Sequence, residues 1–178
     1  AFLVPMDSAG ITRVAADDSL GVRGLGCMDL EFHDVRVDAE CLLGPPGDGF
    51  RTAMWALAAG RVAIAAQALG VGEAALAAAV EHARTREAFG QPIGNFQAIQ
   101  WMIADTSMEL QAARLMVSKA AWLKDHGEKF SHDAAMAKLF ASEAADRACW
   151  KAIQIHGGAG YLRDFPVERF YRDNRLTL

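Results

Sequence analysis

Arg84-Thr85-Arg86-Glu87-Ala88-Phe89-Gly90-Gln91-Pro92-Ile93-Gly94-Asn95-Phe96-Gln97 lies between two long apolar-periodic segments. Gly90, Pro92 and Gly94 say that the chain stops, turns and restarts there. Upstream, Phe50 to Arg84 carries Met54, Leu57, Val62, Ala65, Leu69, Gly72 and Leu76 at helical spacing. That is long for a single helix, against a globular mean of about 11 residues. Downstream, Ile99 to Lys124 repeats the pattern with Met102, Ile103, Leu110, Ala113 and Val117. The corner therefore reads as the link between two helices of a bundle.

Ser131, read as an N-cap with Asp133 in the first turn, opens a third helix. It runs through Met136, Leu139, Phe140, Ala144 and Trp150 to Ile155, and Gly157-Gly158 stops it. A short fourth helix is expected from Pro166 to the end, since proline suits the first helical position. Long helices joined by short loops predict an antiparallel up-down bundle. Before them, residues 1–45 read as β. Ala1 to Pro5 is a short apolar run, Met28 to Phe32 alternates, and Val35 to Val37 alternates again after a turn at His33-Asp34. Gly44-Pro-Pro-Gly-Asp-Gly49 is a cluster of breakers and the best boundary. The fold class predicted is mainly α, an antiparallel four-helix bundle over 46–178 preceded by a partial β domain over 1–45. The chain begins without Met on a strand-like run, which reads as a start inside a domain.

The 178 residues carry a net charge of −4, which argues against nucleic acid as a bulk electrostatic partner. No uncharged apolar run of about 18 residues appears, so no membrane span is expected. Val62 to Leu76, Ala/Gly-rich, preceded by Arg61 and interrupted by Glu73, reads as a buried helix. Cys27, Cys41 and Cys149 are widely spaced, as for reduced thiols, and no metal-ligand spacing is present.

Four groups are candidates for chemistry. In the corner, the Arg86 fork can pair with a phosphate, and Phe89 offers a face for a flat ring. An arginine lying along a helix end and a core phenylalanine explain the same spacing. In Gln154-Ile155-His156-Gly157-Gly158-Ala159-Gly160-Tyr161, adjacent glycines let backbone N–H groups approach phosphate oxygens, or simply stop a helix. His156 is more often a satisfied turn histidine than a catalyst. Arg61, taken as lying on the buried face, marks either a substrate pocket or an ion pair with Glu168 or Asp173. Glu168 and Arg172 have the spacing of an intrahelical ion pair. No Ser/His/Asp, Cys/His or phosphate-loop template is satisfied.

Taken in order, these motifs resemble the acyl-CoA dehydrogenase family over the whole chain. Phe2-Leu-Val-Pro5, Leu20-Gly-Val-Arg-Gly24 and Leu30-Glu-Phe-His-Asp-Val-Arg-Val37 resemble the second half of its middle β domain. Leu43-Gly-x-x-Gly-x-Gly-Phe50 resembles the linker into its C-terminal helical domain, here ending before the last helix. Gly60-Arg61, Ala65-Ala-Gln-Ala-Leu-Gly70, Arg86-x-x-Phe-Gly90, Phe96-Gln97, Gln154 to Tyr161 and Pro166-Val-Glu-Arg-x-Tyr-Arg-Asp173 follow in the family's order.

The resemblance implies an FAD-dependent enzyme. A base removes the α-proton of an acyl-CoA thioester while the β-hydride passes to flavin, giving the trans-2-enoyl-CoA. Electrons then go to an electron-transfer flavoprotein. It further implies that Arg86, Phe89, Phe96 and Gln97, with Gln154, Ile155, His156, Gly157 and Gly158, contact FAD of a neighbouring subunit in a homotetramer. Arg61 matches the arginine beside the acyl-CoA pocket. No residue of this chain is assigned as the catalytic base. The family's usual glutamate is expected just beyond Leu178, and the alternative position is Gly60, which cannot serve. The location implied is the cytoplasm, or the mitochondrial matrix in a eukaryote. The rival readings are an acyl-CoA oxidase, a flavin monooxygenase of the same fold, or a non-catalytic subunit completing a partner's FAD site.

Overall fold

The computed structural model describes residues 1–16 and 18–178. Contacts divide the chain into Ala1–Leu57 and Ala58–Leu178. In the first unit, β1 (Ile11–Ala16) and β2 (Met28–Phe32) pair antiparallel. Ile11 faces Phe32 and Arg13 faces Leu30, and the register then shifts before Ala16 meets Met28. Of the expected strands, Met28–Phe32 forms. The Ala1–Pro5 run makes only an isolated bridge, Phe2 to Leu42. Val35–Val37 is not a strand, because the partner of β2 lies upstream of it. The His33 N–H donates to Gly10 O at 2.8 Å instead, closing the ribbon at that end. None of the described residues of this unit is buried. A two-stranded ribbon presents no second layer under which to bury a face.

α1 (Gly49–Thr85) continues into the second unit, where β3 (Glu87–Ala88), β4 (Gln91–Pro92), α2 (Gln97–Asp125), α3 (Ser131–His156) and α4 (Val167–Asn174) follow. Three ion pairs fix the sense of α2 against α3. Asp105 pairs with Lys151 at 3.8 Å, Glu109 with Arg147 at 3.0 Å, and Lys119 with Asp133 at 2.8 Å. Residue numbers rise on one helix as they fall on the other, so the two run antiparallel, as the short link over 126–130 predicts. Exposed pairs of this kind contribute about 0–1 kcal/mol each, so they specify register more than stability.

The core is made mostly of alanine. Ala65, Ala68 and Leu69 of α1 meet Leu110, Ala113 and Val117 of α2 and Ala141, Ala144, Ala145 and Ala148 of α3. Further along, Ala75, Ala79 and Ala83 pack on Cys149, Ala152, Ile155 and Val167. The three long helix spans hold to within a residue or two, the fourth ends at Asn174 and gives way to a 3-10 turn over Arg175–Thr177, and the expected faces hold only in part. Leu57 of the first unit, and Met136, Leu139 and Trp150 of α3, are exposed. Small residues take the inner face because they let helix backbones approach closely. The large apolar side chains are displaced outward.

α1 is long and apolar enough to cross a membrane by length and composition. Its alanine face is packed against α2 and α3, so its apolar character is used inside the bundle.

Two caps differ from expectation. Ser131 is the first helical residue and makes no capping bond; Phe130 stands at the N-cap. Pro166 is the N-cap of α4 and not its first residue. Asp133 does sit in the first turn, where a hydrogen bond from Lys119 holds its carboxyl below the usual range. α4 is short and is held by the fully buried Val167 and Asn174. Its Glu168 accepts two bonds from Arg172, at 2.8 and 3.0 Å, as the spacing anticipates. Burial, with a smaller push from Asp146, raises the Cys149 thiol to about 12, so it stays protonated and inert at neutral pH.

Candidate functional site

The end of α1 and the end of α3 meet at a cleft of about 450 Å³. Arg86 reaches it because α1 ends one residue earlier, with the Arg86 N–H still bonded to His82 O at 2.9 Å. From α3 come Ile155, His156 and the bare backbone of Gly157 and Gly158. Gly157 sits at φ 58° and ψ −135°, a backbone conformation essentially open to glycine alone. A Cβ on either glycine would meet nothing within 4 Å. The Gly157 N–H is already given to Gln154 O, and the missing side chains leave open space where a ligand can approach the backbone at Gly158.

His82 and His156 stack in this cleft, ring centres 4.2 Å apart and planes 19° from parallel. Phe165 meets both rings edge-on. His156 is buried, and its Nδ1 lies 2.8 Å from Ala152 O. A carbonyl only accepts, so Nδ1 is the donor in this contact and Nε2 is not used by it. Burial first, then the His156 ring and the Arg86 guanidinium, hold His82 below the usual imidazole range. Among the described residues the lining is basic or apolar, with no carboxylate. Such a site suits an anion.

The corner stretch that links α1 to α2 is a two-residue hairpin. Glu87 faces Pro92 and Ala88 faces Gln91, leaving Phe89-Gly90 at the tip. Both tip residues have positive φ, 54° and 80°, the sign pattern of a type I′ turn, which favours Asn-Gly. Phe89 is 96% exposed, so beyond an edge contact with Phe96 little packing offsets its strained backbone. Phe89→Asn is therefore expected to raise stability by about 1 kcal/mol, read from the denaturant midpoint. An unchanged or lower midpoint would refute the strain.

The sequence-predicted residues fall into three places. Arg86, Ile155, His156, Gly157 and Gly158 share the cleft. Phe89 packs edge-on against Phe96, centres 6.1 Å apart, with Gln97 exposed beside it. Gln154 is exposed, one residue before the cleft. Arg61 is exposed and, among the described residues, has no ion-pair partner. It does not lie on the buried face, and Glu168 is engaged by Arg172.

A family model for the C-terminal domain of acyl-CoA dehydrogenases matches residues 47–178. The chain belongs to the acyl-CoA dehydrogenase family. Among its relatives, the probable acyl-CoA dehydrogenase YngJ of Bacillus subtilis (strain 168) is 52% identical over 176 residues. That match covers 99% of this chain and 46% of that protein. The solved butyryl-CoA dehydrogenase of Megasphaera elsdenii superposes with a TM-score of 0.97 at 45% identity. It too covers 99% of this chain and 46% of the solved one. A solved chain reported under the electron transferring flavoprotein of Acidaminococcus fermentans matches at TM-score 0.97 and 44% identity, over 99% of this chain and 46% of that one. The chain thus spans a little under half the length of these acyl-CoA dehydrogenase relatives.

Four cleft residues were not among the expected site residues: His82, Ile93, Ala159 and Phe165. His82 carried a usable signal. It precedes Arg86 by one helical turn, which puts both on one face of α1. Phe165 had none, since it reaches the cleft only through the fold of the segment before α4.

Proposed function

We propose that this chain is the C-terminal part of a longer FAD-dependent acyl-CoA dehydrogenase. Residues 1–45 would be the second half of its middle β domain and 46–178 its C-terminal helical domain without the last helix. The observation that carries the reading is the convergence of Arg86 with the side-chain-free Gly157-Gly158 backbone on one carboxylate-free cleft. A charged fork beside a glycine backbone that a ligand can approach closely suits a diphosphate. The residues present fit the cofactor on that ground.

When bound, the flavin supplies the hydride acceptor. This chain's part is to bind and orient. Arg86 would pair with phosphate oxygens, and Ile155, His156, Gly157 and Gly158 would line the place that holds them. Phe89, Gln97 and Gln154 are exposed and Phe96 is half-buried, which supports contacts to FAD held by a neighbouring subunit of a homotetramer. Arg61 is assigned to the edge of the acyl-CoA pocket. The substrate proposed is a short-chain acyl-CoA, after the butyryl-CoA dehydrogenase at 45% identity. The electron acceptor proposed is an electron-transfer flavoprotein, and the location the cytoplasm or the mitochondrial matrix.

The test is anaerobic addition of butyryl-CoA to the flavin-loaded full-length protein. Bleaching of the flavin absorbance, with reoxidation by an electron-transfer flavoprotein, is the expected result. Protein that purifies without flavin and shows no bleaching would overturn the reading. Rapid peroxide release in air would favour the oxidase instead. The 178-residue chain alone is expected to give no dye reduction, because none of its residues is assigned as the base.

A further inference from the structure

We infer that the stacked His82–His156 pair is a proton-accepting part of the anion cleft, so that a phosphate-bearing ligand binds there together with a proton. The choice of FAD as ligand rests on the function proposed above; the proton coupling rests on the geometry of the pair.

Three observations carry it. His82 lines the cleft, and among the described residues neither of its ring nitrogens has a hydrogen-bond partner. His156 has one nitrogen committed to Ala152 O, which leaves the other for a ligand or a proton. The rings lie 4.2 Å apart, so a second imidazolium beside the first would be strongly repelled and the pair takes up one proton at most. The charged and titratable groups bearing on His82 are His156 from the end of α3 and Arg86 from the end of α1. Phe165 closes another side with an apolar ring. All of these disfavour a proton while the cleft is empty, and His82 is indeed held below its usual range.

An anion reverses the balance. It offsets the Arg86 charge and attracts an imidazolium directly. The proton affinity of the pair therefore rises on binding, and by linkage the ligand binds more tightly as pH falls. The sign also holds for the empty fold. A depressed histidine binds fewer protons folded than unfolded, so acidification through the usual imidazole range removes stability, and the anion restores it.

The experiment is calorimetry on the deflavinated full-length protein, with FAD and, separately, inorganic pyrophosphate as titrants. Two buffers of different ionisation heat report proton uptake directly. Uptake of a fraction of a proton is expected near neutral pH, with affinity falling roughly tenfold from mildly acid to mildly alkaline solution. His82→Phe should keep the alkaline affinity and lose the acid gain; His82→Gln should do the same if the phenylalanine variant folds poorly. An equal loss at both pH values would mean that His82 only packs, and would sink the inference. FAD binding without proton uptake would sink it too, while leaving the flavin assignment standing. Pyrophosphate binding with uptake but no FAD binding would support the inference and remove the flavin assignment. Binding of neither would remove both.

Discussion

Gly72→Val is expected to lower the free energy of unfolding by about 3 kcal/mol or more. Gly72 is where α1 comes nearest to its neighbours. A Cβ there would lie 2.7 Å from Leu110 Cδ2 and 3.2 Å from both Ala145 Cα and Ala145 Cβ. The leucine tip can swing aside, but the α3 backbone can move only by spreading the helix pair. Spreading would open gaps along the alanine seam on both sides, and close-packed interiors give up dispersion contacts at once when that happens. Gly70 is the internal control. It lies in the same helix, and a Cβ there meets nothing within 4 Å. Gly70→Ala should stabilise the protein by about 0.5–1 kcal/mol through helix propensity alone. Denaturant midpoints of the two variants separate the effects. If Gly72→Val unfolded at the midpoint of the parent protein, the close crossing of α1 over α2 and α3 would be wrong.

Arg86→Ala in the full-length protein is expected to weaken FAD binding roughly tenfold to a hundredfold, the range for loss of a charge-assisted hydrogen bond. Arg86 is the only guanidinium lining the cleft among the described residues, and no carboxylate there competes for it. Arg86→Lys should recover part of the loss, since it keeps the charge but not the planar fork. The readout is flavin content after purification, followed by re-titration with FAD. Unchanged flavin content in Arg86→Ala would remove the clamp assignment. Because Arg86 is exposed and α1 ends before it, its removal should leave the denaturant midpoint of the apoprotein nearly unchanged. That separates lost binding from lost folding.

The two corners were legible because their chemistry is local. Gly90, Pro92 and Gly94 mark a turn, and Gly157-Gly158 marks a helix stop, whatever surrounds them. That the two corners lie together was not legible from residue properties. Arg86 and Gly157 are far apart along the chain, and only the antiparallel passage of α2 and α3 brings α3's end back to that of α1. The ordered motifs supplied that juxtaposition through family resemblance, and the cleft contains five of the nine residues it named. His82 was passed over because the quoted corner began two residues after it.

Breakers and their spacing determined, from the sequence by itself, how many long helices there are, where they stop and to which family they belong. The tertiary structure decided which face of each helix is inside. A hydrophobicity pattern ranks Leu139 and Trp150 above Ala141 and Ala148, yet the alanines are buried and the larger residues exposed. In this bundle contact distance outweighs side-chain transfer energy. Helices that meet backbone to backbone admit only residues without bulk, and no local property of an alanine says that it will be used that way. The same closeness brings His82 against His156, a stack that neither composition nor motif foretold.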